Sequence, residues 1–296
     1  MFSFSRKNAK AEIIIIMRSS GRAWLLKRAL NSVLMQKYKN WHLMLMNDGG
    51  EEIEIRDLLK QIKFPFEKVT ITSASFIGKA NARLLNMALR KSCSEYVAIH
   101  DDDDTWDENF LEKTLKKIKE ENSAAVLSSC WQVTERWNGV SYVEVKKEIY
   151  NSWQTAGVSL FRLAESNTFA PIAMLYRRAI WKKFIAYPED IDGLEDWWLA
   201  LKIFSTYEVP FINDVLASYH LRDSDVAMPG DTNFTISASK YYALVDNKIR
   251  NRLLIEDLRR GQVGLGFLVN MAKAHGQIFQ KIHHLEGIVN KDRKQP

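Results

Sequence analysis

Short apolar runs alternate with amphipathic stretches through the first 130 residues. The runs lie at 13–17, 43–46, 69–71, 96–99 and 124–127. They show little polar alternation, the mark of strands covered on both faces. Between them, apolar positions recur at helical spacing, from Trp24 to Val33, Ile53 to Ile62, Ala82 to Leu89 and Phe110 to Ile118. Strand and helix repeated in this order predict an α/β fold with a mixed, mainly parallel sheet flanked by helices.

The pattern loosens after residue 130. Residues 131–153 mix aromatics with charges and predict short strands or a lid-like loop, while 179–184 and 197–204 read as helices. A polar stretch at 223–233, containing Pro229 and Gly230, suggests a boundary. The expected organisation is a catalytic domain over 1–225 and a C-terminal helical extension over 226–296. In the extension, 237–260 and 265–288 read as two helices. The second carries Leu268, Met271, His275, Ile278, Ile282 and Leu285 on one stripe. Docking on the catalytic domain is the default expectation for this pair. Homo-oligomer formation and peripheral membrane contact are the alternatives.

Composition narrows the class. The chain has 296 residues, 46% hydrophobic and 26% charged, which excludes wholesale disorder. No run approaches the ~20 apolar residues of a membrane-spanning helix, and the first residues hold no apolar segment of secretory-signal length. Basic residues exceed acidic ones, 42 to 36, for a net charge of +6. Such an excess suits an anionic ligand or surface and requires no nucleic acid. The two cysteines, Cys93 and Cys130, form no CxxC, so neither a zinc knuckle nor a disulfide framework is indicated, and a reducing, cytoplasmic setting is expected.

In an open parallel sheet, ligands bind beyond the carboxyl ends of the strands. Arg18-Ser19-Ser20 follows the first apolar run, Asn47-Asp48-Gly49-Gly50 the second, Thr72-Ser73 the third, and His100 with Asp101 to Asp104 the fourth. Polar groups therefore collect on one rim. Neighbouring carboxylates ~6 Å apart repel by ~3 kcal/mol per pair at an effective dielectric of ~20. The run must point into solvent or be gathered by a divalent cation, and carboxylate oxygens suit Mn²⁺ or Mg²⁺. Thr105-x-x-Glu108 reads as a capping box that starts a helix directly after the run.

Other positions carry two readings each. Asp48 either closes an Asx turn or hydrogen-bonds a bound base or ribose. Gly78-Lys79 precedes a helix and would let a phosphate approach backbone donors. Glu195-Asp196 opens a helix, as ordinary macrodipole complements or as a functional pair. His220 is either a metal ligand or structural. The nine tryptophans serve packing or sugar stacking.

With those residues in view, the chain resembles glycosyltransferase family 2, the large inverting GT-A group. The likeness is carried by IIIIMRSSGRAWLLKRALNSVLMQKYKNWHLMLMNDGG, by FIGKANARLLNMALRKSCSEYVAIHDDDDTWDENFLEK and by GLEDWWLALKIF, and covers about residues 11–225. It implies a Rossmann-like GT-A fold and transfer of a sugar from a nucleotide-sugar donor, a UDP-sugar, to a hydroxyl of a glycan or lipid-linked glycan. Asp48 would contact base or ribose. Asp101 and Asp103 would form the metal-binding Asp-x-Asp, with Asp102 near the ribose. Lys79 or Arg83 would approach the nucleotide or its phosphates, beside Arg18 and Ser20 of the first turn, and Asp196 would be the general base. His220 is the candidate third metal contact. Lipid-linked acceptors would bring the protein to the inner face of the membrane.

The likeness has departures. Met17-Arg18-Ser19-Ser20-Gly21 stands where Pro-Thr-Tyr-Asn is usual, Asn47-Asp48-Gly49-Gly50 where Asp-Asp-Gly-Ser is common, and His220-Leu221-Arg222 reverses a frequent Arg-x-His. Two rivals remain at this point. Asp101-x-Asp103-x-Thr105 also matches the nucleophile motif of haloacid-dehalogenase-like phosphatases, and a noncatalytic nucleotide- or carbohydrate-binding protein would use the same fold.

Overall fold

The Ile-rich first run becomes strand β1 (Ile13–Ser19), whose four isoleucines are almost fully buried. It pairs in parallel with β2 (Trp41–Asn47) and β4 (Tyr96–Asp101), and β2 pairs in parallel with β3 (Val69–Ser73). The fold is seen in a computed structural model that describes residues 11–73, 81–151, 157–184, 187–191, 193–222 and 239–292. Four further strands complete the main path: β5 (Thr105–Trp106), β6 (Ala125–Trp137), β8 (Met174–Arg177) and β9 (Phe211–Arg222). The order is β3-β2-β1-β4-β8-β6-β9-β5, with β7 (Tyr142–Ile149) added to β6. β8 runs antiparallel to both β4 and β6, and β9 lies parallel to β6. The result is the expected mixed sheet.

Helices α1 (Ala23–Leu34), α2 (Glu52–Gln61), α3 (Asn81–Lys91) and α4 (Phe110–Glu120) occupy the amphipathic stretches. β1 and β2 are covered on both faces, as their unbroken apolar patterns require. β3, an edge strand with one neighbour, is only half-buried. Three further helices follow: α5 (Leu160–Glu165), α6 (Ala179–Phe184) and α7 (Glu195–Phe204).

Two local expectations fail for physical reasons. The segment after residue 130 holds one long strand and its hairpin partner, β6 and β7, rather than short strands or a loop. Parallel pairing with β9 carries β6 to Glu135, and antiparallel pairing with β7 carries it on to Trp137. The capping box does not form either. Thr105 and Trp106 are claimed by β9, pairing with Ser218 and Ala217. The helix starts at Phe110 instead, and Asp107 accepts the backbone N–H of Asn109 at 2.9 Å.

The extension consists of α8 (Ser239–Arg260) and α9 (Leu265–Asp292), docked on the sheet-bearing part. The expected boundary stretch at 223–233 lies outside the described residues. α8 buries Val245, Ile249 and Leu253. α9 docks through Gly266, Val269, Ala272 and Gly276, not through the stripe expected from the sequence. Small residues win because backbone approaches closely there: a Cβ on Gly266 would stand 2.2 Å from the Leu253 backbone. Met271, His275, Ile278 and Ile282 consequently face outward, with Phe267 and Phe279, whereas the side chain of Leu285 lies outside the described part. Arg250 is the buried pin of this docking. It holds Asp246 at 2.8 Å, donates to the carbonyls of Ala164, Glu165 and Val269, and stacks 4.8 Å over Trp197. Among the described residues no helix is long and apolar enough to cross a membrane. Cys93 is exposed, Cys130 is buried, and both are free thiols.

Candidate active site

The parallel register aligns the chemistry. Ser19 stands opposite Asn47, and Arg18 opposite Asp101, so the ends of β1, β2 and β4 share one rim. The two turns beyond β1 and β2 pack against each other. The Asp48 N–H donates to the Ser19 carbonyl at 2.8 Å. Gly21 and Gly50 have φ of +81° and +85°, and a Cβ on Gly50 would lie 2.9 Å from the Gly21 Cα. Gly21, one of the departures from the family pattern, thus makes room for the glycine turn opposite it. The Asx bond comes from Asn47, whose Oδ1 accepts the Gly49 N–H at 3.2 Å. That leaves the half-buried Asp48 carboxyl for other uses. Burial pushes its pKa up, against the pull of Arg18.

The aspartate run is resolved neither by solvent nor within the protein by clustered ligands, but by arginines. Asp102 is buried, accepts the Ser20 N–H at 3.2 Å and pairs with Arg22. Asp103 accepts from Arg22 at 3.1 Å and from the fully buried Arg222. Asp104 turns away from the rim: its Oδ1 accepts the His220 N–H at 2.8 Å, and its Oδ2 has no hydrogen-bond partner among the described residues. Asp101 stays on the rim with Arg18 at 3.9 Å. Four neighbours of one residue type therefore titrate differently. Burial raises all four, but Arg22 and Arg222 overrule it at Asp103, which falls below the usual carboxylate range. Asp102 settles at about 6, and Asp104 is pushed well up by burial and by Asp103 and Asp101.

Behind the rim, Glu135 of β6 binds Arg28 and accepts from or pairs with His220 Nδ1 at 3.0 Å, while Arg28 donates to the Asp103 carbonyl at 2.7 Å. The structure does not bring His220 to the carboxylates as a metal contact. Its Nε2 meets Thr105 Oγ1 at 3.1 Å, so both ring nitrogens are engaged with the protein. Asp102 lies under the β1–α1 turn, held by the Ser20 N–H and Arg22. Arg83 points outward to Glu189 at 3.9 Å, while its neighbours Leu84 and Leu85 face the cavity. Lys79 lies outside the described residues. Arg22, Arg28, Glu135 and Arg222 escaped the sequence reading. Their partners stand 75 to 119 positions away, so no local spacing reveals them.

A cavity of about 570 Å³ opens over this rim, within the ordinary range for ligand sites. Arg18, Ser20, Asp101 and Asp103 line one side, and Asn167, Glu195 and Asp196 line another. Gly193 and Leu194, at φ of +96° and +60°, turn the chain so that α7 begins with Glu195 and Asp196 at the cavity wall. Asn167 Nδ2 donates to Asp196 Oδ2 at 2.7 Å. Burial, reinforced by Glu195, lifts the Asp196 carboxyl to about 7, with the Asn167 hydrogen bond opposing. Such a group can accept a proton near neutral pH.

The donor set fits a hard divalent cation. Asp101 and Asp103 offer carboxylate oxygens to the same cavity, and among the described residues no cluster of three or more His, Cys, Asp or Glu stands ready as a closed cage. One or two carboxylates completed by phosphate oxygens and water is the habit of Mg²⁺, and carboxylate oxygen also suits Mn²⁺.

The family model described as glycosyl transferase family 2 matches residues 13–184. An uncharacterised glycosyltransferase of Rickettsia bellii is 26% identical over 79% of this chain and 31% of its own length. Glycosyltransferase GlyA of Streptococcus pneumoniae is 25% identical over 68% of this chain and 29% of its own. The chain thus spans about a third of the length of these two relatives. The Escherichia coli UDP-Glc:alpha-D-GlcNAc-diphosphoundecaprenol beta-1,3-glucosyltransferase WfgD is 22% identical over 73% of this chain and 79% of its own. Among solved structures, S. aureus TarS 1-349 with UDP-GlcNAc superposes with a TM-score of 0.61 at 17% identity, covering 82% of this chain and 66% of that one. The Pyrobaculum calidifontis mannosyltransferase PcManGT with GDP-Man and Mn2+ gives 0.58 at 18%, covering 91% and 70%. These structures share the fold.

Proposed function

The chain belongs to glycosyl transferase family 2, and from that premise we propose that it is an inverting, divalent-metal-dependent transferase that moves a sugar from a UDP-sugar to an acceptor hydroxyl of a glycan or lipid-linked glycan. One observation carries the reading: Asp101 and Asp103 open onto the same cavity as Asp196, with Asp103 held below the usual carboxylate range and Asp196 pushed up to about 7.

Asp101 and Asp103 would hold Mn²⁺ or Mg²⁺ at the rim that receives the donor's diphosphate. When bound, the cation offsets the negative charge that develops on the leaving diphosphate. Arg18 adds positive charge at the same rim, and the Asp48 carboxyl, left open by the turn, faces the nucleoside. Asp196 accepts the proton of the acceptor hydroxyl as its oxygen bonds the anomeric carbon. The bond from that carbon to the diphosphate oxygen breaks in the same step, and the nucleoside diphosphate departs. One displacement from the opposite face inverts the anomeric centre. Asn167 orients the base, and Glu195 keeps its proton affinity high.

UDP as the nucleotide is supported by the UDP-sugar named for the E. coli relative and the UDP-GlcNAc complex of TarS. A cytoplasmic enzyme, peripheral to the inner face of the membrane, is supported by the diphosphoundecaprenol in that relative's name and by the outward apolar stripe of α9, Phe267, Met271, Ile278 and Ile282. Pelleting with anionic liposomes tests it, and self-association without pelleting would assign the stripe to a second copy instead. The phosphatase alternative loses its nucleophile motif, since Thr105 sits in β5 bonded to His220.

The test is thermal melting with UDP, GDP, ADP and CDP, each with and without Mn²⁺, since a ligand of the native state raises Tm by mass action. UDP with Mn²⁺ is expected to raise Tm most. Asp196→Asn should keep that shift and lose transfer. Turnover by Asp196→Asn at the wild-type rate would leave the base assignment untenable, and unchanged melting with every nucleotide would remove the donor reading.

A further inference from the structure

The cavity has two chemically different sides. The rim at β1 and β4 is charged, with Arg18, Asp101 and Asp103. The side around Asp196 is aromatic, built by Tyr150, Tyr219, Tyr241 and Tyr242. Three of these lie outside the residues 13–184 that match the family model: Tyr219 in β9, and Tyr241 and Tyr242 in α8. We propose that the C-terminal extension completes the acceptor site: Tyr241 and Tyr242, with Tyr150 and Tyr219, form a subsite that takes a pyranose ring and presents its hydroxyl to Asp196.

The inference rests on the glycosyl-transfer reading and adds to it the residues that hold the acceptor's sugar ring. A charged rim suits a diphosphate. Tyrosines suit a sugar, because the ring faces receive its C–H surface while the phenols exchange hydrogen bonds with its hydroxyls. Tyr150 and Tyr219 meet edge to face, with centroids 5.8 Å apart, so their wall is packed rather than loose. Both Tyr150 and Tyr242 feel the Asp196 carboxylate: burial first, then that charge, raises each phenol, Tyr242 to about 12. All four tyrosines line the same cavity as the base.

The position of α8 is fixed from the side of the base helix. Arg250 of α8 stacks on Trp197, the residue after Asp196, and Trp197 Nε1 donates to the Leu163 carbonyl at 2.6 Å. Arg250 also ties the carbonyls of Ala164 and Glu165 in α5 to Val269 in α9. The helix bearing the tyrosines and the helix bearing the base are thus clamped through one guanidinium.

Saturation-transfer NMR on the full chain, with Mn²⁺ and saturating UDP, tests this with methyl β-D-glucopyranoside and methyl α-D-N-acetylglucosaminide as probes and sorbitol as the acyclic control. The pyranosides should receive saturation on their ring C–H protons and sorbitol should not. Tyr242→Ala and Tyr241→Ala should each weaken pyranoside binding by about fivefold, the loss expected for one aromatic contact. Tyr242→Phe, which keeps the ring, should stay within about twofold, and UDP affinity should be unchanged in all three. Tyr241 is exposed, so its truncation leaves the fold intact should Tyr242→Ala unfold. Undiminished pyranoside binding in Tyr241→Ala would overturn the subsite, as would undiminished binding in a folded Tyr242→Ala or absence of pyranoside binding to wild type while UDP binds. Absence of UDP binding alone would instead count against the donor reading.

Discussion

Replacing Asp196 by Asn should make the unliganded protein more stable at pH 8 and leave its stability unchanged at pH 4. The carboxyl sits at about 7 in the folded chain and has a reference value of 3.8. Between those values the folded state holds a proton that the unfolded state has released. Stability therefore falls as pH climbs from about 4 to about 7 and stays lowered above that. At ~1.4 kcal/mol per tenfold change in proton affinity, the ceiling on the penalty is ~4 kcal/mol. Asp196 is only half-buried and opens onto a wet cavity, so screening reduces this to ~1–2 kcal/mol. Asn keeps an acceptor for Asn167 and carries no charge to desolvate. For a chain of this size the gain corresponds to ~2–6 °C in Tm. The assay is a set of paired melts of wild type and Asp196→Asn from pH 4 to 8.5, in chelator, so that no cation enters. A difference that opens between pH 4 and 7 is expected. A pH-independent difference, or a variant less stable at pH 8, would refute the claim that burial strains this carboxylate. The same value predicts that wild-type kcat/KM rises with pH through a limb near 7, lost at low pH as the base is protonated.

Arg222→Met should cost ~3–5 kcal/mol in urea unfolding, because it strips Asp103 and Glu135 of a buried partner and leaves their charges uncompensated. Gly50→Ala should destabilise by at least ~1 kcal/mol, from the positive φ and the 2.9 Å approach to Gly21, and a melt unchanged within 1 °C would mean the turns separate readily. Arg250→Met should loosen α8 and α9 from the catalytic part, read as faster proteolysis near residue 260 with a lower Tm; cleavage at the wild-type rate would show that apolar packing alone secures them. Asp103→Asn should abolish the Mn²⁺ or Mg²⁺ dependence of transfer, and full activity in excess chelator would contradict the metal assignment.

What the sequence disclosed, and what it hid, follows from the range of each interaction. Strands β1, β2 and β4 announced themselves because a strand covered on both faces must be apolar throughout. Asp101, Asp103 and Asp196 could be picked out as candidates because they stand beyond a strand end and at a helix start, and the structure brings all three to one cavity. The counter-ions were not, because Arg22 and Arg222 reach the aspartates only once β1 and β9 lie in the same sheet. The docking face of α9 misled for another reason: apolarity marked Met271, Ile278 and Ile282, yet Gly266, Ala272 and Gly276 make the contact, and smallness leaves no hydrophobic signal. The capping box at Thr105 was locally sound and was outcompeted by two strand pairings with β9.

The arginines also explain how one cavity keeps two kinds of aspartate. Burial alone would protonate every carboxyl on this rim. At Asp103, Arg22 and Arg222 reverse that and hold the group ionised well below neutral pH, as a cation ligand must be. Among the described residues the Asp196 carboxyl pairs with no arginine; its side-chain hydrogen-bond donor is the neutral Asn167, and its neighbour Glu195 pushes its proton affinity up. Arg18 stands between the two regimes, 3.9 Å from both Asp101 and Glu195. Moving its charge therefore shifts both. Arg18→Met should raise the proton affinity of Asp101, weakening cation binding, and at the same time leave Glu195 less compensated, which moves the acidic limb set by Asp196 to higher pH. Lys at the same place would restore charge but not the double reach of a guanidinium, so the separation of ligand and base depends on this one side chain's geometry as much as on its charge.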